Sequence, residues 1–345
     1  MTRGQPVRRR SPSAGALALG ACLAIACCGA GATTPAPQQA IVEMPAVQVK
    51  PRPEGPVLWE ARKDGRVLWI LAVPDALPAG LEWNWANIDA RLSQSGALLG
   101  EPHISTSFEV GIFRMFGVYR KARAARRNPD DRSLREVLPP DDYARWAPLA
   151  ARYLGDEVHD VETLRPYFAA QALQGAQGSR LGWTSSLPVW RHLGDIARGS
   201  HIPVVLPRHE IRITDPAKVI ADFSATALQD LACFRAGLGR VEQFPHDELL
   251  QATAWAEGDI AGMEASASEE KWRQDCDSLL SSSFADHDLG QGSALDGKRE
   301  AWLRAVHEAL SAHGTAFAVL PIDLALGNDG YVSTLAGEGY GVSAQ

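Results

Sequence analysis

Apolar positions along this chain collect into a few short unbroken runs, and the stretches between them carry helical periodicity. Val57, Leu58 and Trp59 lead into Lys63-Asp64-Gly65-Arg66, after which Val67 to Val73 is almost wholly apolar. An Asp-Gly pair between two such runs predicts a hairpin. The second run has no polar alternation, so it predicts a strand covered on both faces, as at the centre of an α/β sheet. It ends at Pro74-Asp75, and such sheets bind ligands beyond the carboxyl ends of their strands. Asp75 is therefore the first candidate site residue. A helix over about 84–94 turns Ile88 and Leu92 inward, Gly96 breaks it, and a short strand follows at 97–99. If that strand is parallel to the first buried one, Gly100, Glu101 and His103 reach the same edge as Asp75.

Further along, 132–138, 141–153, 164–173 and 186–197 read as helices, with Pro139-Pro140 and Pro166 at their starts and Gly155 and Gly199 at their stops. Residues 202–206 form another buried strand. Asp215-Pro216 opens a long helix to about 236, and helices near 246–256, 269–282 and 296–312 precede a last strand at 316–320. The pattern predicts a mixed α/β fold. Its central, largely parallel sheet draws on the N-terminal segment, the 202–213 region and the C-terminal strand, with a mainly helical insertion over about 130–290.

The 345 residues are 46% hydrophobic and 22% charged, enough to bury a sizeable core. Residues 1–32 have the layout of a secretory signal, with Arg3, Arg8, Arg9 and Arg10 ahead of an apolar stretch from about Ala14 to Ala26. Leu23-Ala24-Ile25-Ala26-Cys27 has the form of a lipobox, which would make Cys27 the lipidated N-terminus. Leu19-Gly20-Ala21-Cys22 and Ala30-Gly31-Ala32 are rival cleavage sites, the latter giving a soluble periplasmic or secreted protein. Residues 33–55 are proline-rich and read as a tether, leaving 56–345 as the folded domain. The expected location is the bacterial cell envelope, with membrane contact through the lipid anchor only. The net charge of −7 becomes −11 once the four leader arginines are removed, so nucleic acid is not an expected partner. The one basic cluster, Arg120, Lys121, Arg123, Arg126 and Arg127, reads as a solvated helix face.

The residues from Leu58 through Leu81–Glu101, together with Lys298-Arg299-Glu300-Ala301-Trp302 and Ala316–Val342, resemble the two ends of the TraB/GumN family, relatives of the Tiki-type proteases. Trp255-Ala256-Glu257-Gly258-Asp259 is a third, shorter point of likeness. The resemblance implies a shared sheet flanked by a closing helix. It also implies metal-dependent peptidase chemistry in members that carry Gly-x-x-His after each of two core strands. Here those tetrapeptides are Ala72-Val73-Pro74-Asp75 and Leu320-Pro321-Ile322-Asp323. Both glycines and both histidines are replaced.

Two readings follow. In one, Asp75, Asp323 and Glu101 are altered ligands for a hard divalent cation that activates water, with Arg299 on the closing helix either holding a carboxylate there or serving a structural ion pair. In the other, the aspartates are capping residues in a cleft that has lost its chemistry and binds an envelope peptide, polysaccharide or protein. The second is preferred, because losing both ligands and both glycines together points away from a simple change of metal. Arg208-His209-Glu210 reads as a solvated turn and Asp286-His287-Asp288 as part of a flexible loop. No Gly-x-Ser-x-Gly, His-Glu-x-x-His, Cys-x-x-Cys or phosphate loop is present. Cys233 and Cys276 are the only cysteines beyond the leader region, and export would place them in an oxidising compartment, so they are expected to be disulfide-bonded.

Lipidation at Cys27 predicts metabolic incorporation of labelled palmitate that disappears in Cys27→Ser. Absent labelling, or labelling that survives the substitution, contradicts it.

Overall fold

The computed structural model describes residues 55–108, 112–225, 230–269, 276, 294–327 and 329–345. The leader, Cys27, most of the tether, Asp286-His287-Asp288 and most of the helix expected at 269–282 lie outside these residues.

The strands are β1 (Leu58–Lys63), β2 (Arg66–Val73), β3 (Ala76–Pro78), β4 (Leu98–Leu99), β5 (His103–Phe108), β6 (Trp183–Ser185), β7 (Val204–Val205), β8 (Arg208–Ile213), β9 (Thr315–Pro321) and β10 (Gly341–Ala344). Six of them form the central sheet in the order β10-β1-β2-β9-β4-β7. β2, β9, β4 and β7 run parallel, while β1 is antiparallel to both β2 and β10. The expected hairpin forms as the sequence dictates: Asp64 and Gly65 both take positive φ, 49° and 76°, which the tight turn between twisted strands requires. Leu68 to Ala72 and Ala316 to Leu320 are buried, which is why both segments lack polar alternation. Each fully buried Leu, Ile, Val or Phe in these strands contributes about 1.5–3 kcal/mol relative to exposure.

Helices Ala86–Ser93 and Ala294–His313 both pack against β2 and β9. The latter, the closing helix, buries Trp302, Val306 and Leu310, the face expected from its periodicity. Helices Pro140–Tyr153, Pro166–Arg180 and Asp230–Gln243 share a second apolar cluster that includes Trp146, Leu173, Phe234 and Leu238. Within it the Arg165–Asp230 pair is almost fully buried at 2.6 Å, and burial pushes the Asp230 carboxyl above its ordinary value even against the guanidinium. Cys233 and Cys276 are disulfide-bonded with Cα atoms 5.6 Å apart, as expected.

Several elements differ from the reading of the sequence. The 202–213 region is not one sheet segment. Only Val204–Val205 joins the central sheet, since Pro203 and Pro207 bracket it, and as an edge strand it is not buried as expected, Val204 being 51% exposed; β8 pairs instead with β5 in a separate two-stranded parallel sheet. Arg208-His209-Glu210 is thus strand rather than turn. Of the long helix expected from Asp215, Pro216–Ala225 and Asp230–Gln243 are helical, and 226–229 lie outside the described residues. Asp215 does cap the first of these, accepting a 3.0 Å bond from the Lys218 N–H. β3, β5, β6 and β10 are additional strands.

Candidate functional site

The pairing of β2 with β9 positions the candidate cleft. Its parallel register runs from Val67 opposite Thr315 to Val73 opposite Pro321, so Asp75 and Asp323 each lie two residues beyond the last paired position, on one edge of the sheet. β4 also runs parallel to β9, and Glu101 leaves the sheet at this same edge. After β9 the chain turns into the short helix Ile322–Ala325, with Asp323 half-buried in its first turn. After β2 it runs through half-buried Asp75 into β3, which pairs with β6 of the helical insertion. The two aspartates therefore leave the edge in different directions.

On the Asp75 side a cavity of about 500 Å³ opens between β3, β6 and the insertion, lined by Gln171, Gln174, Trp183, Arg240, Phe244 and Glu248 among others. Trp183 and Phe244 meet edge-on with ring centroids 5.0 Å apart. Gln174 donates through its Nε2 to the Gly237 carbonyl at 3.2 Å, and Gln177, also on the wall, donates to Val241 O at 2.8 Å. A carbonyl can only accept, so these bonds fix both amide orientations.

On the Asp323 side the polar groups gather around Tyr331, which opens helix Tyr331–Gly337 and is buried. Gly330 makes this approach possible, because a Cβ there would lie 2.4 Å from the Leu326 carbonyl oxygen. Tyr331 meets Trp302 at a centroid distance of 5.0 Å, and the Arg299 guanidinium stands 6.0 Å from its ring. Burial pushes the Tyr331 phenol up to about 12. The Arg299 cation draws it down, and the Glu101 and Asp323 carboxylates raise it further. Glu101, Asp323 and Arg299 thus lie within electrostatic range of one phenol that stays neutral at physiological pH. Arg299 also donates to the Asp329 carbonyl at 3.3 Å and faces Asp296 at 3.8 Å, while its Nε is buried without a hydrogen-bond partner among the described residues. Glu101 pairs with Lys298 at 3.5 Å.

Trp255 ties the insertion to this edge. β1 ends opposite Leu71, so Ala72 is paired on the β9 side alone, and Trp255 Nε1 donates to its carbonyl at 2.6 Å. Trp83 packs on Trp255 at 4.8 Å. Gly258, left-handed at φ 70°, ends the helix behind Trp255, which accounts for the spacing of Trp255-Ala256-Glu257-Gly258.

Among the described residues no three His, Cys, Asp or Glu side chains come together as a metal ion would require. Asp75 faces the insertion cavity, and Glu101 is engaged with a cation. Sequence reasoning missed Tyr331, Lys298 and the cavity wall at Trp183 and Phe244. The only signal for Tyr331 was its place in the Gly-Tyr pair of the glycine-containing loop.

The family model described as the TraB/PrgY/gumN family matches residues 57–344. No curated protein and no solved structure matches the chain.

The raised Tyr331 phenol has a defined effect on stability. The folded state holds its proton where the unfolded chain, near 10, has released it, so this contribution is complete below pH 10 and is lost as pH rises through about 12. Ultraviolet difference titration should show a tyrosine ionising about two units late, absent in Tyr331→Phe. A parent titration matching that of the variant contradicts the burial assigned to this phenol.

Proposed function

Because the chain belongs to the TraB/PrgY/gumN family, we propose that it works in the cell envelope as a non-catalytic member of that family, binding a peptide, polysaccharide or protein partner at the carboxyl edge of its central sheet. One observation carries this reading. The two loops after β2 and β9 keep their side-by-side register, while Asp75 and Asp323 stand where catalytic relatives are expected to carry histidine. The imidazole pair that peptidase members of the family are expected to use is thus replaced by two carboxylates, and the third candidate ligand, Glu101, is paired with Lys298. What remains suits binding. An aromatic wall beside fixed amide groups offers both apolar contact and directed hydrogen bonds to a polar chain. A lipid anchor at Cys27 followed by the proline-rich tether would hold this cleft at the envelope membrane.

The rival reading, a metal-dependent hydrolase using Asp75, Glu101 and Asp323, is separated from this one by metal analysis of the purified protein. The binding reading predicts no stoichiometric Mg²⁺, Mn²⁺, Ca²⁺ or Zn²⁺, and Asp75→Ala and Asp323→Ala variants within about 1 kcal/mol of the parent in unfolding free energy. One retained divalent ion per chain, lost in both variants, would overturn it and establish the hydrolase.

A further inference from the structure

Helix Ile112–Ala125, IFRMFGVYRKARAA, carries four cationic residues and no anionic one, in a chain whose net charge is −7. From Phe116 to Ala124 it is exposed at every position except half-buried Val118. Phe116 and Tyr119 are 69% and 67% exposed, the most exposed large apolar side chains among the described residues. Helical spacing sets them on one stripe with Arg120 and Arg123, since 116, 119, 120 and 123 follow the i, i+3, i+4, i+7 pattern. The helix packs on Pro216–Ala225, so it is held to the fold while this stripe faces outward.

The cations divide into two groups. Arg126 lies over the Phe168 ring at 4.8 Å and Arg127 pairs with Asp131 at 2.7 Å, so both serve the fold. Arg120, Lys121 and Arg123 enter none of the ion pairs among the described residues. A solvated helix face accounts for three free cations, but not for two aromatic rings set among them in water.

We propose that this stripe docks on an anionic phospholipid surface, with Phe116 and Tyr119 entering the headgroup layer and Arg120 and Arg123 meeting lipid phosphates. Aromatic side chains in line with Lys and Arg are the composition of helices that lie in the plane of a membrane interface. The acidity of the rest of the chain opposes approach only weakly, because charges beyond about 8–10 Å are screened at physiological salt, whereas the stripe would be in contact. Among the described residues no helix is long and apolar enough to cross a membrane, so the contact is peripheral. It would orient the domain on the surface to which a Cys27 anchor is proposed to tether it, but its evidence is independent of that anchor.

The test is sedimentation of the purified full-length mature protein with phosphatidylcholine vesicles, with and without phosphatidylglycerol. An acyl anchor acts on both compositions alike, so its absence lowers binding to both, whereas failure of the present inference removes the difference between them. The parent should prefer anionic vesicles at least tenfold, and 0.5 M salt should erase the preference. Each arginine near such a surface is worth about fivefold, so Arg120→Gln/Arg123→Gln should lower anionic-vesicle affinity by roughly 25-fold. Phe116→Ser/Tyr119→Ser should weaken binding while leaving its salt dependence. Circular dichroism should be unchanged in both variants, since the replaced side chains are exposed. Equal parent binding to both vesicle types, or a double arginine variant that keeps the anionic preference, overturns the inference. Saturation of these residues by an acidic polypeptide or nucleic acid, with vesicles left unbound, also overturns it, in favour of a soluble polyanion.

Discussion

The parallel pairing of β2 with β9 is the constraint on which the cleft depends. It joins two segments from opposite ends of the folded domain, each buried along most of its length, and fixes which residues leave the sheet side by side. A one-residue slip would turn the apolar set of a strand onto its other face, and with both faces covered every neighbour would have to repack. The register is therefore strongly determined. Long-range parallel pairing of this kind is costly in chain entropy, and the antiparallel β1–β2 hairpin supplies a local template for it.

Two aromatic contacts extend this order to the loops. Trp255 satisfies the Ala72 carbonyl just where β1 has ended, so the helical insertion is anchored by a hydrogen bond at the site edge. Leaving that carbonyl buried and unpaired would cost about 1–3 kcal/mol. Tyr331 does the equivalent on the β9 side, packing on Trp302 of the closing helix while staying neutral among Arg299, Glu101 and Asp323. The edge has the rigid support of a working site, yet its acidic groups are divided between an insertion cavity and an ion pair with Lys298.

Much of this was legible from residue pattern. Asp64-Gly65 announced the hairpin, the apolar runs at Val67–Val73 and Ala316–Leu320 announced the two central strands, and the positions of Asp75 and Asp323 at their ends followed. Pro140, Pro166 and Pro216 marked helix starts because a ring at the first helical position forfeits no hydrogen bond. The failures share a cause. β8 opens with the polar run Arg208-His209-Glu210 and alternates only from Glu210 to Ile213, too short a signal to announce a pairing with β5 that depends on tertiary contact. β3 and β6 are three residues each, too short for any period to register. Tyr331 was hidden because its burial follows from the close approach permitted at Gly330, which a turn-like Gly-Tyr sequence does not reveal.

The central claim is that the ends of β2 and β9 carry residues 75 and 323 to one place. An Asp75→Cys/Asp323→Cys variant, with Cys233 and Cys276 protected in their disulfide, tests it by treatment of the folded protein with a bifunctional maleimide spanning about two strand spacings, roughly 10 Å. The pairing predicts one intramolecular cross-link in the folded protein, identified by peptide mass, and little in urea. Two singly modified cysteines with no cross-link, under conditions where both thiols react, would contradict the shared edge and the cleft built on it.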